Sequence, residues 1–158
     1  MEIRGLQSEE ERERCAQMMS VSDPWLTLGR NYEQCLESLR KGPAELYVAV
    51  DEDEVRGFIM LMMVGALVGY IRIVCIDPTY RGHGLGTQLV SFAEERIFKE
   101  SPNVWLFVTS FNTRARALYK RLGYQVIGEV PDYIVPGYSE VLMRKTLGPL
   151  VEFTKRSR

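Results

Sequence analysis

The segment Arg81-Gly82-His83-Gly84-Leu85-Gly86 constrains this chain more than any other. It follows a strand-like run ending Val74-Cys75-Ile76-Asp77-Pro78 and opens into a helical pattern, Leu85, Leu89, Phe92, Ala93 and Ile97. Glycines at such a junction let the backbone approach a ligand, because no Cβ intervenes and unusual φ/ψ angles cost little. The first turn of the helix adds unpaired N–H groups and the positive end of the macrodipole. The strand-loop-helix is therefore a cradle for an anion, above all a phosphate or pyrophosphate.

The rest of the chain must supply a fold around that cradle. At 158 residues it fits one domain, 1–158, with a core large enough to need no staples. A net charge of −1 gives no electrostatic reason to expect nucleic acid. The basic end Lys155-Arg156-Ser157-Arg158 reads as a solvated terminus. Cys15, Cys35 and Cys75 are an odd number without CxxC spacing, each within an apolar pattern. They read as buried, reduced thiols of a cytoplasmic protein, with no metal site. The N-terminus lacks the layout of a signal peptide, and the apolar run 58–68 is too short to span a bilayer. No membrane association is expected.

Strand and helix signals alternate without repeats or linkers. Residues 2–6 suit a first strand, and Ser8 with Glu11 forms a capping box for a helix to about Met19. Pro24 marks 21–30 as loop; Tyr32, Cys35, Leu36 and Leu39 then recur at helical spacing until Lys41-Gly42-Pro43. Strands follow at 46–50, 55–64 and 67–76, the last two joined at Gly65 like a hairpin. After the helix from Leu85 come a strand at 104–109, a helix at 112–122 capped by Gly123, and strands at 124–130 and 138–145. This order predicts an α/β (α+β) mixed sheet, mostly antiparallel, of about seven strands flanked by about four helices on both faces.

The glycine loop lacks the Lys-Ser/Thr of a nucleotide-binding P-loop, and its glycines alternate singly in mid-chain, unlike a dinucleotide fingerprint. Its order Arg-x-x-Gly-x-Gly resembles the pyrophosphate-binding motif A of the GNAT superfamily of acyl-CoA-dependent N-acyltransferases. The segment from Asn112 to Tyr124, carrying Tyr119, resembles that family's motif B. The likeness is most specific from about Tyr70 to Ile127, and the order of elements extends it over nearly the whole chain.

The resemblance implies an acetyl-CoA co-substrate, whose pantetheine arm lies along Val74, Cys75 and Ile76 as though it were an added strand. The amides of Gly82, His83, Gly84, Leu85, Gly86 and Thr87 would wrap the pyrophosphate, with the side chains of Arg81 and His83 at its edge. The strands 67–76 and 104–109 would splay to hold the cofactor, and Asn112 would cap its helix and contact it. Tyr119 would be the general acid that protonates the leaving thiolate, although its spacing also fits a core stripe with Ala115, Leu118 and Leu122.

No base is evident. Relatives that acetylate ribosomal-protein N-termini carry a glutamate five positions before the motif-B asparagine, where this chain has Phe107. Glu140, Asp132 and Asp23 are candidates to relay a proton through water, each read first as a solvated or salt-bridged surface group. The loops 21–30 and 131–138, with Trp25, Tyr133 and Tyr138, would build the acceptor site. The acceptor is expected to be a small-molecule amine, or alternatively a protein N-terminus or lysine. A non-catalytic acyl-CoA sensor is the reading of another class, and the chain is expected to be a monomer or homodimer.

Overall fold

The computed structural model describes residues 1–154, so the basic end 155–158 lies outside the described residues. Its elements, in order, are β1 (Glu2–Gly5), α1 (Glu9–Ser20), α2 (Tyr32–Arg40), β2 (Ala44–Asp51), β3 (Glu54–Met62) and β4 (Tyr70–Ile76). There follow α3 (Leu85–Ile97), β5 (Asn103–Thr109), α4 (Thr113–Arg121), β6 (Gln125–Val130) and β7 (Glu140–Thr146). The strands form one seven-stranded sheet ordered β1-β2-β3-β4-β5-β7-β6. Every pair is antiparallel except β4–β5, which is parallel. The mixed sheet and the four α-helices are those expected from the sequence.

Alternation along the strands builds two cores. Ala49, Ile59, Leu61, Leu106 and Val141 point to one face, where Leu85, Leu89, Ala93 and Ile97 of α3 and Tyr119 of α4 cover them. Val48, Phe58, Met60 and Cys75 point to the other, against Cys15, Met18 and Met19 of α1 and Leu36 and Leu39 of α2. The three cysteines are free and buried, as their apolar settings predicted.

Two local expectations change. Ser8 does accept from the Glu11 N–H at 3.2 Å, but the Glu11 carboxylate takes the Gln7 N–H and Arg4. The reciprocal capping box belongs to α2, between Asn31 and Gln34. The turn between β3 and β4 is also longer than a hairpin at Gly65, because the strands end at Met62 and restart at Tyr70. Gly69 fixes that restart: its φ is +86°, its carbonyl accepts from Trp105 at 2.9 Å, and a Cβ there would stand 2.4 Å from the Asn103 carbonyl oxygen.

The central irregularity lies in β4. Its ladder with β5 holds only Tyr70↔Trp105 and Ile71↔Leu106. On the β3 side Met60 pairs Ile73 and Leu61 pairs Ile71, so Arg72 is the extra residue of a β-bulge. A bulge bends and twists its strand. The rest of β4 and β5 part there, and a wedge opens between them.

Candidate active site

The wedge continues into a cavity of about 440 Å³. Val74, Cys75 and Ile76 of β4 form one wall, and the loop and first turn of α3 close its end with Arg81, Gly82, Gly84, Leu85, Gly86 and Thr87. The opposite wall is α4, through Asn112 and Tyr119, while Asp23 and Trp25 reach in from the α1–α2 loop. His83 alone among the expected cradle residues stays off the wall; its ring leans on Tyr80 at 5.1 Å.

The α3 end has the chemistry of an anion site. Gly84 caps the helix in the left-handed region, φ +77°, with no side-chain cap, so the first amides of α3 have no intrahelical acceptor. A Cβ at Gly82 or Gly84 would meet nothing within 4 Å, as expected of a cradle open to a ligand. Gly86 answers a different need, since a Cβ there would press Leu118 of α4 at 3.3 Å. Arg81, Arg114 and Arg121 add positive charge, and none of them is in an ion pair among the described residues. A pyrophosphate-bearing ligand with an extended arm fits these residues: amides and guanidiniums for the phosphates, a free strand edge for the arm.

The approach to the cradle is held by Asp77, which is 4 % exposed. Its carboxylate accepts from the Thr79 N–H and hydroxyl and pairs with Arg14 at 2.5 Å. Burial alone would raise its pKa, but the Thr79 bonds and Arg14 outweigh it and hold the carboxyl below its usual range.

Tyr119 is the one buried residue of α4, with its ring in the core. Its hydroxyl makes no hydrogen bond among the described residues and belongs to the cavity lining. Desolvation pushes its pKa up to about 12, so the phenol is neutral at working pH and keeps a proton to give. Asn112 caps α4, accepting from the Ala115 N–H at 3.3 Å. Gly123, φ +98°, ends the helix with Tyr124 N–H bonded to the Tyr119 carbonyl, a Schellman-type stop. Cys75 also lines the cavity, but its side chain packs in the α1–α2 core and burial pushes its thiol up to about 12, so it stays a neutral thiol.

The sequence matches the Acetyltransferase (GNAT) family over residues 6–124, most of the chain. The chain belongs to that family. An N-alpha-acetyltransferase of Sulfurisphaera tokodaii is 31% identical over 138 residues, which span 77% of this chain and 82% of the relative. Blasticidin-S acetyltransferase of Streptomyces morookaense is 32% identical over 92 residues, 54% of this chain and 67% of its own length. The peptidyl-lysine N-acetyltransferase of Salmonella typhimurium is 38% identical, with 56% of this chain covering 57% of it. Against some mycothiol acetyltransferases the chain spans only 30% of their length. Among solved structures, aminoglycoside 6'-N-acetyltransferase complexed with coenzyme A superposes with a TM-score of 0.75 at 18% identity, covering 94% of this chain and 98% of that one. The family is one of acetyltransferases, and the chain spans about a third of the length of several of the relatives it matches.

The candidate bases separate. Asp23 lines the cavity, where its carboxylate accepts from the Thr27 N–H and hydroxyl. Asp132 is exposed and braces its own loop by accepting from the Gly137 N–H at 2.7 Å. Glu140 corrects the expectation of a solvated or salt-bridged surface group: it is 4 % exposed, and among the described residues it has no ion pair and its buried Oε2 has no hydrogen-bond partner. Tyr80, Arg114, Leu118 and Arg121 are lining residues that motif matching passes over. The helical period would have found three of them, because 114, 118 and 121 recur at i, i+4 and i+7 on one face of α4. Among the described residues no group of side chains could hold a metal ion, and no helix is long and apolar enough to cross a membrane.

Proposed function

We propose that this chain transfers the acetyl group of acetyl-CoA to a primary amine by direct attack, with Tyr119 as the general acid. The observation that carries this reading is one cavity joining an uncapped helix start, an unpaired strand edge and the free hydroxyl of Tyr119. The pyrophosphate would lie on the amides from Gly82 to Thr87 with Arg81 beside it, and the pantetheine arm along Val74, Cys75 and Ile76. Asn112 would contact the cofactor while capping α4.

In this arrangement the amine nitrogen attacks the thioester carbonyl carbon. The C–N bond forms, the C–S bond breaks, and the departing thiolate takes the Tyr119 proton. The phenoxide is re-protonated by the proton that the new amide nitrogen sheds, so the tyrosine is unchanged at the end. Backbone N–H groups of β4 beyond the bulge, released from any ladder with β5, suit the developing oxyanion. Buried free thiols suit a reducing compartment such as the cytoplasm.

A small-molecule amine is the acceptor we favour, in line with the blasticidin-S relative and the aminoglycoside-enzyme fold. A protein N-terminus is the second reading, favoured by the archaeal N-alpha-acetyltransferase, which aligns over most of both chains. Thiol release from acetyl-CoA with kanamycin A, spermidine, phenethylamine and a tetrapeptide with a free N-terminus distinguishes them. Turnover of a non-peptide amine supports the first reading, and turnover of the tetrapeptide alone supports the second. Micromolar coenzyme A binding without any turnover would leave a sensor.

A further inference from the structure

Glu140 opens β7 opposite Thr109 of β5 and Val130 of β6. Val104, Leu106 and Val108 of β5, with Val141 and Met143 of β7, all pack into the α3 core. Alternation therefore turns Phe107, Thr109 and Glu140 to the other face of the sheet, away from the anion cradle. Both Thr109 and Glu140 lie past Leu106, where β5 has already left β4. They stand beside the part of β5 that has left β4, on the face opposite the α3 core.

A buried carboxylate with no counter-ion is costly, and Glu140 has no ion pair among the described residues. Glu140 Oε2 and Thr109 Oγ1 are each buried without a hydrogen-bond partner among the described residues. Around them stands an aromatic arc. Phe107 packs edge-on against Tyr70, with centroids 6.0 Å apart, and at a tilt against Tyr133 at 5.1 Å. Tyr70 is electrostatically coupled to Tyr133, Arg72 and Glu140, which puts these groups in one neighbourhood. Tyr133 is 55 % exposed and so forms the outer lip.

We propose that Glu140 is the acceptor-side carboxylate, which receives the incoming ammonium group and takes its first proton. This rests on the acetyltransferase reading above. Its substrate class is a primary amine on a body that the rings of Tyr70, Phe107 and Tyr133 can cover. The ammonium gives one proton to the carboxylate and becomes a neutral nucleophile; Glu140 later returns that proton to solvent. The second amine proton leaves as the amide forms and balances the one Tyr119 gives to the thiolate. Burial raises the Glu140 pKa, with the neighbouring Thr109 hydroxyl opposing, which brings the base closer to working pH. Phe107 is then part of the arc, and the carboxylate is supplied from β7.

The test is Glu140→Gln in the full chain, with acetyl-CoA and the same four amines. Coenzyme A affinity by calorimetry is expected to stay within about three-fold, and kcat/KM for the accepted amine to fall about 30-fold or more. That loss should shrink as pH rises and more of the amine arrives as free base, which a merely structural glutamate would not produce. The variant should melt no lower than the parent, since it removes an unpaired buried charge. Turnover that is indifferent to Glu140→Gln at every pH overturns the role of Glu140 alone. Wild-type protein that turns over none of the four amines overturns the transferase reading and this role with it.

Discussion

Tyr124 donates its N–H to the carbonyl of Tyr119 at 3.0 Å, and the two rings meet edge to face with centroids 5.8 Å apart. The stop that ends α4 thus also fixes the ring of the proposed acid. Burial raises both phenols, and Tyr119 by desolvation alone. The hydroxyl is held in the cavity by packing rather than by a hydrogen bond, so its removal should leave the scaffold in place.

Tyr119→Phe should lower kcat by about 100-fold while coenzyme A affinity, read by calorimetry, stays near the parent value. Because the phenol is raised to about 12, its ionisation cannot set an alkaline limb in the working range. The pH–rate profile of the parent should rise from about pH 6 to about pH 9 as amines deprotonate. A falling limb in that window, absent from Tyr119→Phe, would contradict the raised phenol, and an unchanged kcat in Tyr119→Phe would remove Tyr119 as the acid.

Gly84→Asp should weaken coenzyme A binding by about 100-fold or more, through the added side chain and a carboxylate set where the phosphates bind. The backbone there is left-handed, φ +77°, so some strain accompanies the change. Gly84→Ala carries the strain without the charge and separates the two effects. Equal, near-parent affinities in both variants would sink the cradle assignment.

Asp77→Asn should destabilise the fold by about 1–3 kcal/mol at neutral pH, because Arg14 loses its counter-charge and the Thr79 donors lose an ionised acceptor. The folded-state pKa of Asp77 is lowered, so its contribution is present above the unfolded value of roughly 3.9 and lost as pH falls through the folded one. Urea melts of parent and variant should therefore differ at pH 7 and converge in acid. A gap that persists in acid would assign the effect to packing.

Gly69 and Gly65 share a positive φ, but only Gly69 has the Asn103 carbonyl oxygen and Ile97 under 3 Å from a prospective Cβ. Gly69→Ala should cost about 3 kcal/mol or more, and Gly65→Ala about 1. Thermal melts of the two variants check the contrast. Comparable melting temperatures would deny Gly69 its part in setting the base of the wedge.

Much of this was legible because the relevant signals are local. The glycine alternation, the Asn112 cap and the Gly123 stop are each written within a few residues, and each is found in place. Helix and strand periods carried the two cores. The bulge at Arg72 was not legible, since it depends on how β4 registers against β3, a relationship between segments. Glu140 was misread for the same reason: on a strand with alternating apolar residues its position looks like an edge, until β5 and β6 enclose it on both sides. Capping at α2 was overlooked because Asn31 follows a loop with several other turn formers.

The central claim is amine-dependent acetyl transfer inside the α3–α4 cavity, and thiol release by the purified chain tests it most directly. With acetyl-CoA and a panel of primary amines, free coenzyme A should appear only when an accepted amine is present, with one acetamide product per thiol by mass spectrometry. Coenzyme A that binds tightly while no amine accelerates thiol release would contradict the account.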